Sequence, residues 1–485
     1  MPKHHAHQHA AKAPHTPHAP HAPKPNTKVL KQFHWEPQPA GQRVVDWLVT
    51  EFLAHCAGAA ELSRRMMEES GTRFKDWIDH IQVPARPRIK AKIKEVGFDH
   101  SPLPGARECY VHHGAMFPPI ILEDDNITRV GIKVDSVADF LAAWQITGDT
   151  VLGESLSPFR MARAFKQKEH ELWVVERHGH VGFDVPKPDP LTSFLAVKHL
   201  EALRRRQRDF DGAGGAEAGF ARLNKLLDAA IDDVGRDWAC DLFFQAERDF
   251  WQRRNRAAQV QKARQDKIGL GWANHDHHTY RSSRLHFVDL IGVQEKLGFK
   301  ARERFYAGAE AGWGAQVMEH AATGITTFND VDLTPQELMG DLGHERILPR
   351  KELGTVGLWI GLHGESIMQA GMHHLECQFD WLALVDQLSR EAGIRTMGPF
   401  TTFPYLRQAF TEGERWQVSE KRLKVLLDKG QITQLQAEQF RIEGAIGSHL
   451  ENLERNDGFK GFNQKGVSDI ISRTDPRRQT ALAGA

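Results

Sequence analysis

Between Asn274 and Ser283 the chain reads Asn-His-Asp-His-His-Thr-Tyr-Arg-Ser-Ser, which sets three imidazoles, a carboxylate and a guanidinium in one short run. Neutral imidazole is the commonest side-chain ligand for a divalent metal, and a guanidinium suits a carboxylate that also touches the metal. If the run is a strand, alternation puts His275, His277, Thr279 and Arg281 on one face. Asp276, His278, Tyr280 and Ser282 take the other. A histidine and an arginine then look into the same space, as one wall of a metal site. The plainer alternative is a polar edge strand whose histidines titrate in water.

A second run, Met372-His373-His374-Leu375-Glu376-Cys377-Gln378-Phe379, sorts in the same way. His374, Glu376 and Gln378 share the polar side, while His373, Leu375, Cys377 and Phe379 share the apolar one, so His374 is the candidate ligand. A site with two histidines usually needs a carboxylate as well. Glu319, Glu365 and Glu451 are available, and spacing does not choose among them. On composition alone Glu451 reads as a solvated glutamate at a helix end. Two histidines and one carboxylate on one face of an iron(II) ion leave positions for a bidentate 2-oxo acid and for dioxygen.

These residues need elements to carry them. Phe287, Leu290, Ile291 and Leu297 predict an amphipathic helix closed by Gly298, and Gln316 to Glu319 and Ile325 to Phe328 read as returning strands. The order recurs with a strand at Met372 to Phe379, a helix over Trp381 to Ala392 closed by Gly393, and a strand at Ile394 to Met397. Two βαβββ modules in tandem would curl into a half-open barrel around one site. Upstream, Val44 to Ile81 is read as helical, followed by a break at Pro84, Pro87, Pro102 and Pro104. Ile127 to Val134 is read as a strand, Val137 to Trp144 as a helix and Leu172 to Val175 as a strand. This could be a degenerate module whose ligand position holds Arg129, so no metal is expected there. Residues 219 to 266 form a long helical region whose aromatics suit core packing better than a cofactor box. Gly269 and Gly271 end it and release the chain into the His277 strand.

The fold expected is α+β, divided into a disordered His/Ala/Pro-rich tail (1–40), an α-rich N-terminal region (41–260), a metal-binding domain (261–475) and a flexible C-terminus (476–485). The tail's histidines could collect metal ions weakly. At 485 residues and 40% hydrophobic, the chain can fill more than one core. Lys plus Arg and Asp plus Glu are 63 each, which leaves no overall field for nucleic acid or an anionic membrane and favours a small-molecule partner. Cys56, Cys109, Cys240 and Cys377 form no CxxC pair and read as reduced, buried thiols. With no signal-like or membrane-spanning apolar run, cytoplasm is the expected compartment. Oligomeric state is not legible.

Three segments together resemble the 2-oxoadipate dioxygenase/decarboxylase family, iron(II) enzymes of the vicinal-oxygen-chelate fold. Asp276-His277-His278-Thr279-Tyr280-Arg281-Ser282 is similar to the family's Asp/Asn-His-x-x-x-Arg-Thr strand, with serine in place of threonine. His373-His374-Leu375-Glu376 resembles its Asn-His-Phe/Leu-Thr strand, and Leu406-Arg407-Gln408 its Leu-x-Gln segment. His449-Leu450-Glu451 carries the matching carboxylate, and Gly461 to Asp475 resembles the closing segment. The resemblance spans about Gly269 to Asp475, with Lys421 to Gly444 as an inserted helical stretch. It implies Fe(2+) held by His277, His374 and Glu451, a substrate carboxylate on Arg281, and Gln408 beside the metal ligands or in a structural role. The implied reaction takes 2-oxoadipate and dioxygen to 2-hydroxyglutarate and carbon dioxide. A metal-dependent isomerase or lyase of the same fold, and a non-catalytic protein that binds a metal or a 2-oxo acid, are the other readings of the same residues.

Overall fold

The computed structural model describes residues 35–148, 151–210, 215–307, 312–369, 374–463, 466–467, 470 and 474–477, apart from the side chains of residues 275, 276 and 374–376. Almost all of the His-rich tail lies outside the described residues. The described chain is mixed α+β, with two main sheets and neither of them closed. Strands β1 (Ile78–Pro84), β2 (Asp99–His100), β3 (Cys109–Val111), β4 (Ile120–Glu123), β5 (Thr128–Lys133), β6 (Phe159–Gln167) and β7 (His170–Arg177) make the first sheet. Its order is β2-β3-β4-β1-β5-β7-β6.

The second sheet holds β8 (His275–Arg281), β9 (Lys300–Tyr306), β10 (Trp313–Glu319), β11 (Thr326–Asp332), β12 (His374–Gln378), β13 (Thr401–Phe403), β14 (Leu406–Phe410), β15 (Glu414–Trp416) and β16 (Ala445–Arg455). The order is β13-β14-β16-β12-β8-β11-β10-β9, with β15 paired to β16. One connection repeats through the chain: a strand, a helix, then strands of which the last returns parallel to the first. β11 lies parallel to β8, β16 to β12, β4 to β1 and β7 to β5. A parallel return needs a crossover, and each unit supplies it with the helix after its first strand. Opening strands pair antiparallel, β1 with β5 and β8 with β12, so each sheet is two units joined edge to edge.

Local chemistry sets the boundaries. Asp380 caps the helix Trp381–Ala392 by accepting from the Ala383 N–H, and Gly393 ends it in the left-handed region. The expected strand at Ile394 to Met397 does not form; an isolated bridge from Thr396 to Thr411 stands there, and pairing waits until Thr401, past Pro399. The expected helix over Val44 to Ile81 stops early. Helices cover Pro39–His55 and Ala57–Arg65, but Ile78 to Ile81 already belong to β1, where backbone pairing to β4 and β5 overrides the helical spacing. Pro87, read as a breaker, instead opens the helix Pro87–Glu95, since its missing N–H is no loss in a first turn. The N-terminal region expected to be α-rich therefore also carries a whole sheet. All four cysteines are free and buried.

The helix Arg236–Gln252 lies behind β8. Phe243, Phe244 and Trp251 are buried there, and Glu247 is fully buried with Arg206 and Arg208 on its carboxylate. Tyr280 of β8 donates its hydroxyl to the same carboxylate at 3.2 Å, and the Trp251 indole N–H lies 3.3 Å away. Burial would raise the Glu247 pKa, but the two guanidinium charges outweigh it and hold the carboxyl down at about 2. Its charge-dependent stabilisation is thus present above the unfolded value of about 4.3 and is lost as pH falls toward about 2. Glu247→Gln leaves two buried cations without their counter-charge, a cost of roughly 3–5 kcal/mol. Scanning calorimetry at neutral pH should show a midpoint lower by roughly 5 °C or more. An unchanged midpoint would show that the cluster is not stabilising.

Candidate functional site

The two faces of β8 have opposite surroundings. On one, the ring of His278 packs 4.8 Å from Phe244, and burial holds its pKa well below the ordinary value. On the other, His277 sits between Phe328 and Phe462, with ring centroids at 4.9 and 5.1 Å. His277 is 4% exposed, and its Nε2 lies 4.0 Å from Glu451 Oε2. Two donors that each stand about 2.1 Å from a shared ion are at most about 4.2 Å apart, so this spacing suits a common metal.

Glu451 is buried in β16, a strand whose eleven residues, Ala445 to Arg455, are all buried. The helix-end, solvated reading of Glu451 is overturned by its place between β12 and β14. Its Oε1 accepts from Gln408 Nε2 at 2.9 Å, and Thr401 Oγ1 bonds Gln408 Oε1 at 3.0 Å, so the amide is oriented from behind. The register brings the second histidine run alongside. Glu376 stands opposite both His277 and Glu451, and His374 stands opposite His449. The side chains of His374 and Glu376 lie outside the described residues, as do Met372 and His373. Among the described residues no three His, Cys, Asp or Glu side chains form a metal-holding group.

The other carboxylates are engaged elsewhere. Glu319 ends β10 and pairs with Lys460 at 3.0 Å. Glu365 accepts from Ser282 Oγ at 2.8 Å and from the Ser283 N–H at 3.1 Å.

Arg281, four residues along the same face from His277, is 2% exposed. Its guanidinium carbon stacks 3.4 Å above the centre of the Trp359 ring, and the Trp359 indole is tied to the Ile446 carbonyl at 3.0 Å. Its Nε and Nη2 are buried without hydrogen bonds, and the nearest carboxylate oxygen, Asp330 Oδ2, is 3.9 Å from Nε. A buried charged donor left unbonded costs more than 1–3 kcal/mol, which marks a place where a ligand oxygen could be accepted. A cleft of about 1100 Å³ opens one residue beyond, lined by Ser282, Ser283, Asp332 and Glu365.

Sequence reasoning missed three neighbours. Asp330 reaches Arg281 because β11 pairs with β8 in the register Asp330 to Arg281. Trp359 arrives on the helix Thr355–His363. His449 sits two residues before Glu451 on one strand face; its Nδ1 bonds the Thr411 carbonyl at 2.9 Å, and burial holds it at about 4, so the ring is neutral near pH 7. The alternation His449-x-Glu451 would have exposed it had the segment been read as a strand.

The comparisons with known proteins find neither a matching family model nor a matching curated protein. Among solved structures, the chain is similar to a mutant of 4-hydroxymandelate synthase from Streptomyces coelicolor at TM-score 0.24 and 11% identity, over 84% of this chain and 99% of that one. It is similar also to a fusion of a xylose isomerase-like TIM barrel with 4-hydroxyphenylpyruvate dioxygenase at TM-score 0.21 and 10% identity, over 85% of this chain and 53% of that one. Among the described residues no helix is long and apolar enough to cross a membrane.

Burial pushes Asp330 up to about 7 and pulls Arg281 down to about 9, each against the attraction of the other charge. An unfolded aspartate titrates near 3.9, so the folded chain keeps this proton to higher pH. The native protein should therefore lose stability relative to Asp330→Asn as pH rises from about 4 to about 7, with the difference level above. Paired thermal melts from about pH 5 to 8 check this. The opposite slope would mean that the ion pair outweighs burial.

Proposed function

We propose that the protein is a non-haem iron(II)-dependent dioxygenase and decarboxylase of a 2-oxo acid, with His277, His374 and Glu451 as metal ligands and Arg281 as the carboxylate clamp. The observation that carries this reading is the pairing, on one face of β8, of a buried His277 beside Glu451 with a buried guanidinium whose donors lack oxygen partners. The second sheet is read here as two tandem βαβββ modules of the vicinal-oxygen-chelate type, each opening on a histidine strand. The resemblance of the three motifs to the 2-oxoadipate family nominates 2-oxoadipate as substrate and 2-hydroxyglutarate as product.

Each part has a physical task. Gln408 holds Glu451 Oε1 and so turns Oε2 toward His277. Phe328 and Phe462 flank the imidazole and exclude water from it. Arg281 binds a substrate carboxylate, the distal one if the acid is dicarboxylic, while Trp359 keeps the guanidinium plane fixed. Holding the acid at both ends limits its motion relative to the ligand row. Iron(II) bound there supplies open positions for a bidentate 2-oxo acid and for dioxygen. The balance is one 2-oxoadipate and one dioxygen consumed for one 2-hydroxyglutarate and one carbon dioxide formed.

The test is anaerobic purification, reconstitution with iron(II), and measurement of oxygen uptake and carbon dioxide release with 2-oxoadipate. Equal amounts of the two gases are expected. His277→Ala and His374→Ala should lose both iron and turnover, whereas Arg281→Met should keep iron and raise KM at least about tenfold, the loss of one charge-assisted bond. Full iron and activity in His374→Ala would remove that residue from the ligand set. Turnover without oxygen would assign the site to isomerase or lyase chemistry instead.

A further inference from the structure

Arg281 and Asp330 leave three polar atoms buried without partners in one place. The register of the second sheet sets Arg281 of β8 opposite Asp330 of β11, so both side chains stand on the face that carries His277. Nε–H and Nη2–H make up one complete edge of the guanidinium, and among the described residues neither donates to anything. Asp330 Oδ1 likewise accepts nothing, and Oδ2 is 3.9 Å from Nε. Trp359 covers a plane of the guanidinium at 3.4 Å, so a ligand that hydrogen-bonds it must come to the edge. Two parallel N–H groups are shaped for a carboxylate. An oxygen bonded to Nε at about 2.9 Å lies no more than about 6.8 Å from Asp330 Oδ2, so the two carboxylates would share one buried site.

Among the described residues the elements around Asp330 supply it with one cation, Arg281. On β10 its paired neighbour is Ala315, with Trp313 and Val317 on the same face, and the helix Thr355–His363 packs Val356 and Trp359 against them. On β11 itself Asp332 lies two residues along, its Oδ2 held by the Gly354 and Gly357 N–H groups at 2.7 and 3.1 Å. Arg284, on the Asp332 carbonyl at 2.8 Å, is matched by Glu337, and Arg477 by Asp475. His449, on the Arg281 side, is kept neutral by burial. One guanidinium offsets one buried carboxylate, and a second would stand unpaired. Two carboxylates in one site do not both ionise, because the pKa of one is pushed strongly up. A ligand on the edge bonds the guanidinium directly while Asp330 stands off it, so the ligand keeps the charge and Asp330 takes the proton. Burial already raises the Asp330 pKa, against the pull of Arg281.

We propose that Asp330 is the specificity-determining partner of the Arg281 clamp: it takes up one proton when a substrate carboxylate seats on Arg281, and its hydroxyl then donates to that carboxylate. The inference rests on the reading of Arg281 as the clamp and uses none of the metal ligands. The balance is one proton taken from solvent for each carboxylate bound, and the proton returns when the carboxylate leaves. With Asp330 neutral the seat carries one positive charge, which a single carboxylate matches and a phosphate dianion exceeds. With Asp330 ionised the seat carries none, and the attraction that draws the carboxylate in is lost.

Binding of 2-oxoadipate to the iron(II)-loaded protein should be measured calorimetrically under nitrogen, at about pH 6 and about pH 8, in pairs of buffers that differ in ionisation enthalpy. Glutarate, which lacks the 2-oxo group, is the second probe and reads the clamp whether or not the protein holds iron. Uptake of close to one proton per molecule is expected at the higher pH and less at the lower. Asp330→Asn, whose amide N–H stands in for the protonated acid, should lose that uptake and bind about tenfold tighter than the native protein at the higher pH only. Arg281→Met should lose it too and weaken both probes at least about tenfold. Binding that depends on Arg281 but takes up no proton, or equal uptake in Asp330→Asn, would overturn the role of Asp330 and leave the clamp standing. Binding of neither probe, or binding that Arg281→Met leaves unchanged, would overturn the clamp and this inference with it. If Asp330→Asn fails to fold, uptake by the native protein and its loss in Arg281→Met decide the question.

Discussion

Behind β8 the carboxylate of Glu247 gathers Arg206, Arg208, the Tyr280 hydroxyl and the Trp251 indole, and the position of everything on the front of that strand follows from it. Arg206 extends the cluster to the Ile367 carbonyl at 2.5 Å, so the turn after the helix Thr355–His363 is tied to the same point. The strand period is two residues, and a slip by one would exchange the faces. It would bury His277 against Phe244 and turn Tyr280 toward the face that holds Glu451. A charged cluster that only one register satisfies is a strong guard against that exchange.

The two faces differ in how completely their polar groups are met. At the back, Glu247 receives donors from four residues and stays ionised far below neutral pH. At the front, Arg281 and Asp330 stand 3.9 Å apart, too far to hydrogen-bond, and burial moves both toward their neutral forms. Such a pair does little for stability. Its geometry suits a third partner: an incoming carboxylate would give Arg281 the bonds that Asp330 does not. Stacking on Trp359 limits the disorder that an unbonded guanidinium would otherwise have.

Much of this was legible in strand alternation and little of it in composition. His277 and Arg281 share a face and His278 opposes them, as spacing required, and the helices Phe287–Leu297 and Trp381–Ala392 end at the glycines that marked them. Glu451 was obscured because Ser-His-Leu-Glu-Asn-Leu-Glu-Arg has the polarity of a surface segment, yet it forms the centre of β16. A central strand can be that polar only because its charges find partners, such as Gln408 for Glu451 and Arg73 for Glu454 at 3.5 Å. Asp330 and Trp359 were illegible for a different reason. Each reaches Arg281 through pairing or packing across many residues, which local patterns do not encode. In the N-terminal half, β2 has two residues and β3 three, too short to carry any alternation.

The two halves of the chain are also joined at the end of β16. Arg73 donates to the Arg455 carbonyl at 2.7 Å and to Asn456 Oδ1 at 2.8 Å, while Gln261 Nε2 donates to the Ser70 carbonyl at 2.6 Å. Residues before β1 are therefore bonded both to the end of β16 and to the helix that leads into the Gly269–Ala273 loop. Glu451 on β16 and His277 on β8 have their distance fixed from inside by β12, which pairs with both, and from outside by this N-terminal bracket. A donor spacing of 4.0 Å tolerates little error if both groups are to reach one ion, so rigidity here matters more than added stability. On that argument the segment just before β1 braces the end of β16 from outside.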